Sequence, residues 1–430
     1  MPSPAAATPA FTAYQKFLVA VLALIQFTVI LDFMVLSPLG DELMKALHIG
    51  PTQFSHVVSA YAFSAGAAGL LSAGFADRFD RKKLLLFFYV GFVVGTLGCG
   101  LATSYYTLLA ARVVAGLFGG VIGSVSLAIV ADEFAPALRG RVMGTVQMGF
   151  AVSQVAGIPL ALWLAAHWDW HAPFLLIVGL ALVIGVAVWV RMRPVTGHLA
   201  LQTSHSAFGH LWGTLRRADY QTGFLAIALL SIGGFMLMPF GSAFLINNVG
   251  ITPKQLPVVY LATGISSLVV MPLVGRLADR YGRFRLFAIG SVMARVTVVF
   301  YTQLGPTPLW AVVAFNVVMF AGVMSRIVPA TALNASVADP ADRGAYSSVT
   351  SSLQQVAGGI GAVAAGAIVQ QATPHSPLEH YPVLGVVVAS VFVLCLWLVY
   401  RVSQLVAGKQ AAEQRETVRE PPVAPVIGVE

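Results

Sequence analysis

Ala76-Asp77-Arg78-Phe79-Asp80-Arg81 and Ala278-Asp279-Arg280-Tyr281-Gly282-Arg283 share Ala-Asp-Arg and a second arginine three positions on, at an offset of 202 residues. The same offset relates Phe33-Met34 to Phe235-Met236. It also relates Ile49-Gly50-Pro51-Thr52-Gln53 to Ile251-Thr252-Pro253-Lys254-Gln255. At an offset of 204, Pro136-Ala137-Leu138-Arg139-Gly140 recurs as Pro340-Ala341-Asp342-Arg343-Gly344. Three islands at one offset, and a fourth displaced from it by two residues, mark a duplicated chain. In membrane chains, parallel repeats of this kind place a substrate site between the halves, near mid-membrane.

The composition around these islands is that of a membrane protein. Of 430 residues, 58% are hydrophobic and 10% charged, against about 25% charged in soluble chains. Mean hydropathy is +0.83. So few charges cannot cover a soluble surface, which excludes a cytosolic enzyme, a secreted disulfide scaffold and a disordered protein. Apolar runs fall at 17–39, 54–76, 84–102, 107–131, 142–166 and 173–190. A polar stretch follows, and then runs at 221–246, 256–278, 286–304, 309–333, 347–372 and 383–402. Lipid cannot satisfy open backbone groups, so the runs are helices. The alternating ten-residue segments of a strand barrel do not occur. The expected organisation is a segment 1–16, a six-helix bundle 17–190, a linker 191–220, a second six-helix bundle 221–402 and a disordered tail 403–430. The first run is too long and too weakly flanked by positive charge for a cleaved signal peptide, and reads as a retained helix.

Loop charge sets an expected orientation. With both chain ends cytoplasmic, 20 of the 25 Lys and Arg fall on the inner loops and only Lys45 and Lys254 on the outer ones. This is the positive-inside pattern. The net charge of +8 therefore reports topology and contact with anionic lipid headgroups, not nucleic acid. Arg112, Arg295 and Arg326 lie within spans, and Asp32 is the one acid there. A membrane charge is costly unless paired or wet, so these positions are functional candidates. Asp32 in the first span and Arg112 in the fourth agree in depth to within a turn. A proton-coupled pair and a static ion pair both fit that placement.

Other chemistry is missing. There is no Gly-x-x-x-x-Gly-Lys-Ser/Thr phosphate loop for direct use of ATP. The nine histidines are scattered, and no nucleophile or metal cluster sits at span depth, as an intramembrane enzyme would need. Cys99 and Cys395 lie inside apolar runs and read as buried free thiols. No cofactor or metal is expected.

From residue 14 to about 402 the chain resembles the major facilitator superfamily, in its twelve-helix drug and sugar:proton antiporter (bacterial efflux permease) branch. The loop signature is well kept as Gly275-Arg276-Leu277-Ala278-Asp279-Arg280-Tyr281-Gly282-Arg283. The first copy, Ala73-Gly74-Phe75-Ala76-Asp77-Arg78-Phe79-Asp80-Arg81-Lys82, departs at Ala73 and Asp80. Leu108, Arg112 and Gly116 match the fourth-helix pattern. Gly157-Ile158-Pro159 and Trp170-His171-Ala172-Pro173-Phe174 look like the antiporter signature, with Ala161 and His171 as departures; the family more often has arginine at the latter. Arg326-Ile327-Val328-Pro329-Ala330 and Gln354-Gln355-Val356-Ala357-Gly358-Gly359 are similar to that branch.

The resemblance implies an all-α membrane protein of twelve transmembrane helices in two pseudo-symmetric six-helix bundles, monomeric, in a bacterial inner membrane with both ends cytoplasmic. It implies proton-driven efflux of a small organic molecule by alternating access. The alternative is a symporter or facilitator importing a sugar or organic acid. Asp32 and Arg112 become the proton-coupling pair, since the first and fourth helices line the cavity side by side. Asp77, Arg78, Arg81 and Asp132, with Asp279, Arg280, Arg283 and Asp339, become cytoplasmic latches, in which Arg81 reaches Asp132 and Arg283 reaches Asp339. Gly157 and Pro159 become a seal between the bundles. Gln26, Tyr61, Gln147, Asn316, Arg326, Gln354 and Gln355 are candidate cavity liners.

Overall fold

The computed structural model describes residues 11–72, 75–201, 207–340 and 342–419. Twelve long helices account for most of them. The first half holds α1 (Ala13–Val35), α2 (Pro51–Ser72), α3 (Arg81–Gly100), α4 (Tyr105–Glu133), α5 (Pro136–His167) and α6 (Ala172–Arg191). The second holds α7 (Ala218–Asn247), α8 (Leu256–Tyr281), α9 (Arg283–Tyr301), α10 (Leu309–Ala335), α11 (Arg343–Ile368) and α12 (Tyr381–Arg419). An even number of crossings leaves both chain ends on one face, the terminal face.

Local chemistry sets the helix ends. Thr12 and Gln15 form a capping box for α1, and Ser104 with Thr107 forms one for α4, which satisfies the orphan N–H groups of a first turn. Asp80 caps α3, accepting from the Lys82 N–H at 2.9 Å, and also holds the Val195 N–H at 3.0 Å. In the repeat, position 80 corresponds to Gly282, whose φ of +94° joins α8 to α9 through one residue. An aspartate cannot easily make that turn. The first half instead uses the short 3-10 helix Ala76–Arg78, so the departure at Asp80 is a different connection, paid for by a cap and a grip on the linker.

Among the described residues, eleven helices are long and apolar enough to cross a membrane. The other, α11, is rich in Gly, Ser and Gln because it packs on α2 in the opposite half instead of facing lipid. A Cβ on Gly359 would lie 2.8 Å from the Phe63 ring, the close approach that small residues allow between membrane helices.

The second contact between the halves joins α5 to α8. α5 changes to a π-turn at Ser153–Gly157, just before Pro159. Pro159 has no N–H for the helical ladder, and the wider turn accommodates it. Ser153 Oγ donates to Gly149 O at 2.8 Å and lies 3.2 Å from Phe27 O of α1. Gly264 of α8 sits on this turn; a Cβ there would lie 2.5 Å from Gln154 O and 2.8 Å from Val155 Cα. Gly264→Val is expected to push the bundles apart and destabilise the protein by ~1–3 kcal/mol, the usual cost of overpacking. Thermal unfolding of the purified variant measures it.

The tail expected over 403–430 begins as helix, and residues 420–430 lie outside the described residues. α12 continues through Arg419, well past residue 402. Lys409 Nζ donates to Val337 O at 2.8 Å and to Asp339 Oδ1 at 2.9 Å, tying the last turns to the α10–α11 loop. The linker also carries structure, a short helix at Ala207–Arg216. The hydrogen bond from Lys409, followed by that from Arg217, holds the Asp339 carboxyl below its usual range. A depressed carboxylate stabilises above its ordinary pKa, near 3.9, and the contribution disappears as pH falls through the lower folded value. Amide exchange over 404–412, taken relative to the intrinsic rate at each pH, should therefore be steady from neutral to mildly acidic pH. Lys409→Ala should speed it roughly tenfold, as expected for loss of charge-assisted bonds.

Candidate functional site

Asp32 and Arg112 meet inside the first bundle, where α1 and α4 cross the membrane side by side. Arg112 Nη1 donates to Asp32 Oδ2 at 2.9 Å and to the Asp32 carbonyl at 3.3 Å. Their side chains are 0% and 1% exposed. The guanidinium lies 4.4 Å above the Tyr61 ring, a cation–π contact. Asp32 Oδ1 and Arg112 Nε are buried and make no hydrogen bond of ordinary geometry among the described residues, with the Thr96 hydroxyl beside Asp32 and the Cys99 thiol beside Arg112 as their nearest polar neighbours. The pair is therefore under-satisfied: a carboxylate oxygen and a guanidinium N–H remain open to a proton, a water or a ligand. From Tyr61 the contact continues to Phe33, at 5.2 Å between centroids, and on to Phe235 of the second half at 5.7 Å. Phe33 and Phe235 are repeat mates. Mates can touch only near the pseudo-twofold axis, so this aromatic pair marks where the axis passes the site.

The face opposite the chain ends is closed by bonds between the halves. Ser242 Oγ donates to Ser37 O at 3.0 Å, and Ser37 Oγ donates to Met238 O. On the short helix Gly40–Ala46, Asp41 accepts from Asn247 Nδ2 at 2.5 Å and from Lys45 Nζ at 2.7 Å, and Lys45 also reaches Asn247 Oδ1 at 3.4 Å. Lys45 and Asn247 are again repeat mates at offset 202. Sequence reasoning missed this gate. Its one signal was the duplicated island just beyond it, Ile49–Gln53.

The predicted latches are brought together unequally. Arg81 Nε reaches Asp132 Oδ2 at 3.1 Å and Nη1 reaches Ala76 O at 3.3 Å, both within the first half. Arg283 does not reach Asp339. It donates to Ala332 O at 3.1 Å and Ser336 Oγ at 3.2 Å. In the 204 register Asp132 corresponds to Ser336, so a hydroxyl stands where the first half has a carboxylate. Asp339 is held at 2.8 Å by Arg217 Nη2 and at 2.9 Å by Lys409 Nζ. The Asp77 side chain lies outside the described residues. Arg78, Asp279 and Arg280 are exposed, and Asp279 has no ion pair or hydrogen bond among the described residues.

The remaining candidates scatter. Arg326 does not line the space between the halves. It is enclosed by α9, α10 and α12, with Nε 3.2 Å from Ser291 Oγ and its guanidinium 3.5 Å over Phe392. Gly157 packs within its own half, since a Cβ there would lie 2.7 Å from Leu31 of α1. Across the halves, Gln154 and Val155 lie under Gly264, and the following segment Ile158–His167, which holds Pro159, also packs on α8. Pro159 itself is half-buried. Asn316 bonds its own helix at Val312 O, 2.9 Å. Gln26, Gln354 and Gln355 are half-buried and Gln147 is exposed. No group of three metal-ligating side chains occurs among the described residues.

Two symmetric bundles, a buried charge pair beside their axis and a gate at one end define a membrane transporter. The Major Facilitator Superfamily profile matches residues 22–226 and again 223–428, once per half, and the chain belongs to that family. Among relatives, it is 23% identical to the uncharacterized MFS-type transporter YbcL of Bacillus subtilis (strain 168) over 88% of this chain and 95% of that one. It is 26% identical to a multidrug resistance protein B homolog of Mycobacterium tuberculosis (strain CDC 1551 / Oshkosh), over 70% and 66%. The fold superposes on the nucleoside transporter NupG with a TM-score of 0.74 at 14% identity, covering 90% of this chain and 99% of that one.

Proposed function

We propose that the protein exports a small organic molecule in exchange for protons, by alternating access, with both chain ends cytoplasmic. The observation that carries this is the buried, under-satisfied Asp32–Arg112 pair beside the axis between the halves. A carboxyl paired with a fixed cation can take up and release a proton as access changes from one side to the other. The loop charges support the orientation, which makes the closed gate at Ser37, Asp41 and Asn247 the outer one. The multidrug-resistance names among the relatives support export of a drug-like molecule.

On this reading the closed outer face goes with an inner face whose Asp279 is free. Asp279 would find its partner, the N-terminus of α5, when the inside closes. Asp279→Ala should leave the inward-facing state favoured about tenfold more than in wild type, the size of one charged contact. Distances between labels on the inner ends of α4 and α10 report it, and identical distributions in the variant and wild type would remove the latch.

The function test is a pH jump in liposomes holding the purified protein and a drug panel. The proposal expects drug to leave the more alkaline compartment against its gradient while protons enter. Drug accumulating together with protons would make the protein a symporter.

A further inference from the structure

Of the three arginines within spans, two turn inward and one does not. Arg112 holds Asp32, and Arg326 lies against Ser291 and Phe392. Arg295 is exposed on α9 and makes no hydrogen bond, ion pair or ring contact among the described residues. The side chains around it on that face are apolar: Ile289, Val292, Val296 and Phe300 are 50–65% exposed. In a membrane chain such a face meets acyl chains. Arg295 comes six residues before the end of α9 at Tyr301, about 9 Å below it at 1.5 Å per residue. Trp310, 75% exposed at the start of the adjoining α10, marks the interface level, where tryptophan rings sit. A guanidinium on a lipid-facing surface below that level is costly unless it rises toward the interface and meets an anion.

The anion has few sources. Asp32, the one acid within the spans, is buried and taken by Arg112. A second copy of this chain packed against α9 therefore brings no carboxylate to this depth. α9 starts on the terminal face and ends on the gate face, so Arg295 belongs to the gate-face leaflet. The loops on that side hold only Lys45 and Lys254, and Arg295 stands apart from the basic fringe of the opposite face. What the lipid itself supplies at the interface is phosphate. The planar fork of arginine holds a phosphate through two parallel bonds.

We propose that Arg295, with the lipid-facing sides of α9 and α10, forms a binding site for an anionic phospholipid, phosphatidylglycerol, in the gate-face leaflet. Its phosphate is drawn down onto the guanidinium, and its acyl chains run toward the bilayer centre over Val292 and Ile289. Phosphatidylglycerol carries the negative charge with no cation of its own, whereas the ammonium of phosphatidylethanolamine competes with the guanidinium for the phosphate. The site depends neither on the direction of transport nor on Asp32.

The experiment places full-length protein in nanodiscs of phosphatidylethanolamine containing a photoactivatable phosphatidylglycerol, and maps the cross-linked peptides by mass spectrometry. Arg295→Met keeps an unbranched stem and removes the charge. It relieves a lipid-facing surface of a costly group, so the variant should fold. Residues 289–300 and 310–318 should be labelled in wild type and labelled about tenfold less in Arg295→Met, the worth of charge-assisted bonds. Arg295→Lys keeps a point charge without the fork and should fall between the two. Peptides holding Lys83 and Arg285, exposed at the terminal face, are the internal control and should label equally in all three proteins. Equal labelling of the α9–α10 face in wild type and Arg295→Met would overturn the proposal. So would equal labelling by a photoactivatable phosphatidylethanolamine, which marks bulk lipid only. A dimer whose α9 face is shielded from both lipids would place a second copy there and overturn it as well.

Discussion

Asp32→Asn is expected to reduce pH-gradient-driven transport to the level of protein-free liposomes while leaving downhill substrate exchange measurable. The amide keeps the shape of the side chain and removes its titratable proton. It also leaves Arg112 without its counter-charge in a site 1% exposed. Removing one partner of a buried pair costs ~3–5 kcal/mol when nothing compensates. Arg112 retains the Asp32 carbonyl at 3.3 Å and the Tyr61 ring at 4.4 Å, and a buried cation–π contact is worth about 2 kcal/mol. The loss of stability should therefore fall toward the low end of that range, and the variant should fold. Liposome flux with and without an imposed gradient, beside a thermal melt, separates the two effects. Full gradient-driven activity in the variant would remove Asp32 from the mechanism.

The second large effect is expected from Arg112→Lys. Arginine remains charged in a dry site and presents a planar fork. Here that fork spans the Asp32 carboxylate and carbonyl through Nη1 while its face rests on Tyr61. A lysine supplies a point charge, cannot lie flat on the ring and gives up its proton readily when desolvated. It would stop opposing protonation of Asp32, so coupled transport should lose most of its rate and its pH profile should change shape. A rate and profile that superimpose on wild type would reduce the pair to a static tie between α1 and α4.

Much of the architecture was legible because the bilayer demands it. Long apolar runs have to be helices, and the repeated Asp-Arg islands expose the duplication. The Asp32–Arg112 pairing was legible because two charges at matching depth leave few alternatives. Four features were hidden for identifiable reasons. Ser336 took the place of the expected carboxylate, and the residue pairing with Arg283 follows the 204 register, not proximity to Asp339. Arg326 turns into its own bundle because Phe392 offers a ring face there, which a span list cannot show. The extension of α12 depends on Lys409 finding Asp339, which lies 70 positions earlier. The gate at Ser37, Asp41 and Asn247 uses ordinary loop residues, and only the fold gives them a shared purpose.

The central claim is that Asp32 carries the proton. The most direct measurement is infrared difference spectroscopy of the purified protein in lipid as pH is stepped, with no substrate required. The account predicts a buried carboxylic-acid stretch that appears and vanishes with pH and is missing from Asp32→Asn. The same titrating band surviving in Asp32→Asn, or no buried carboxyl band at any pH, would contradict it.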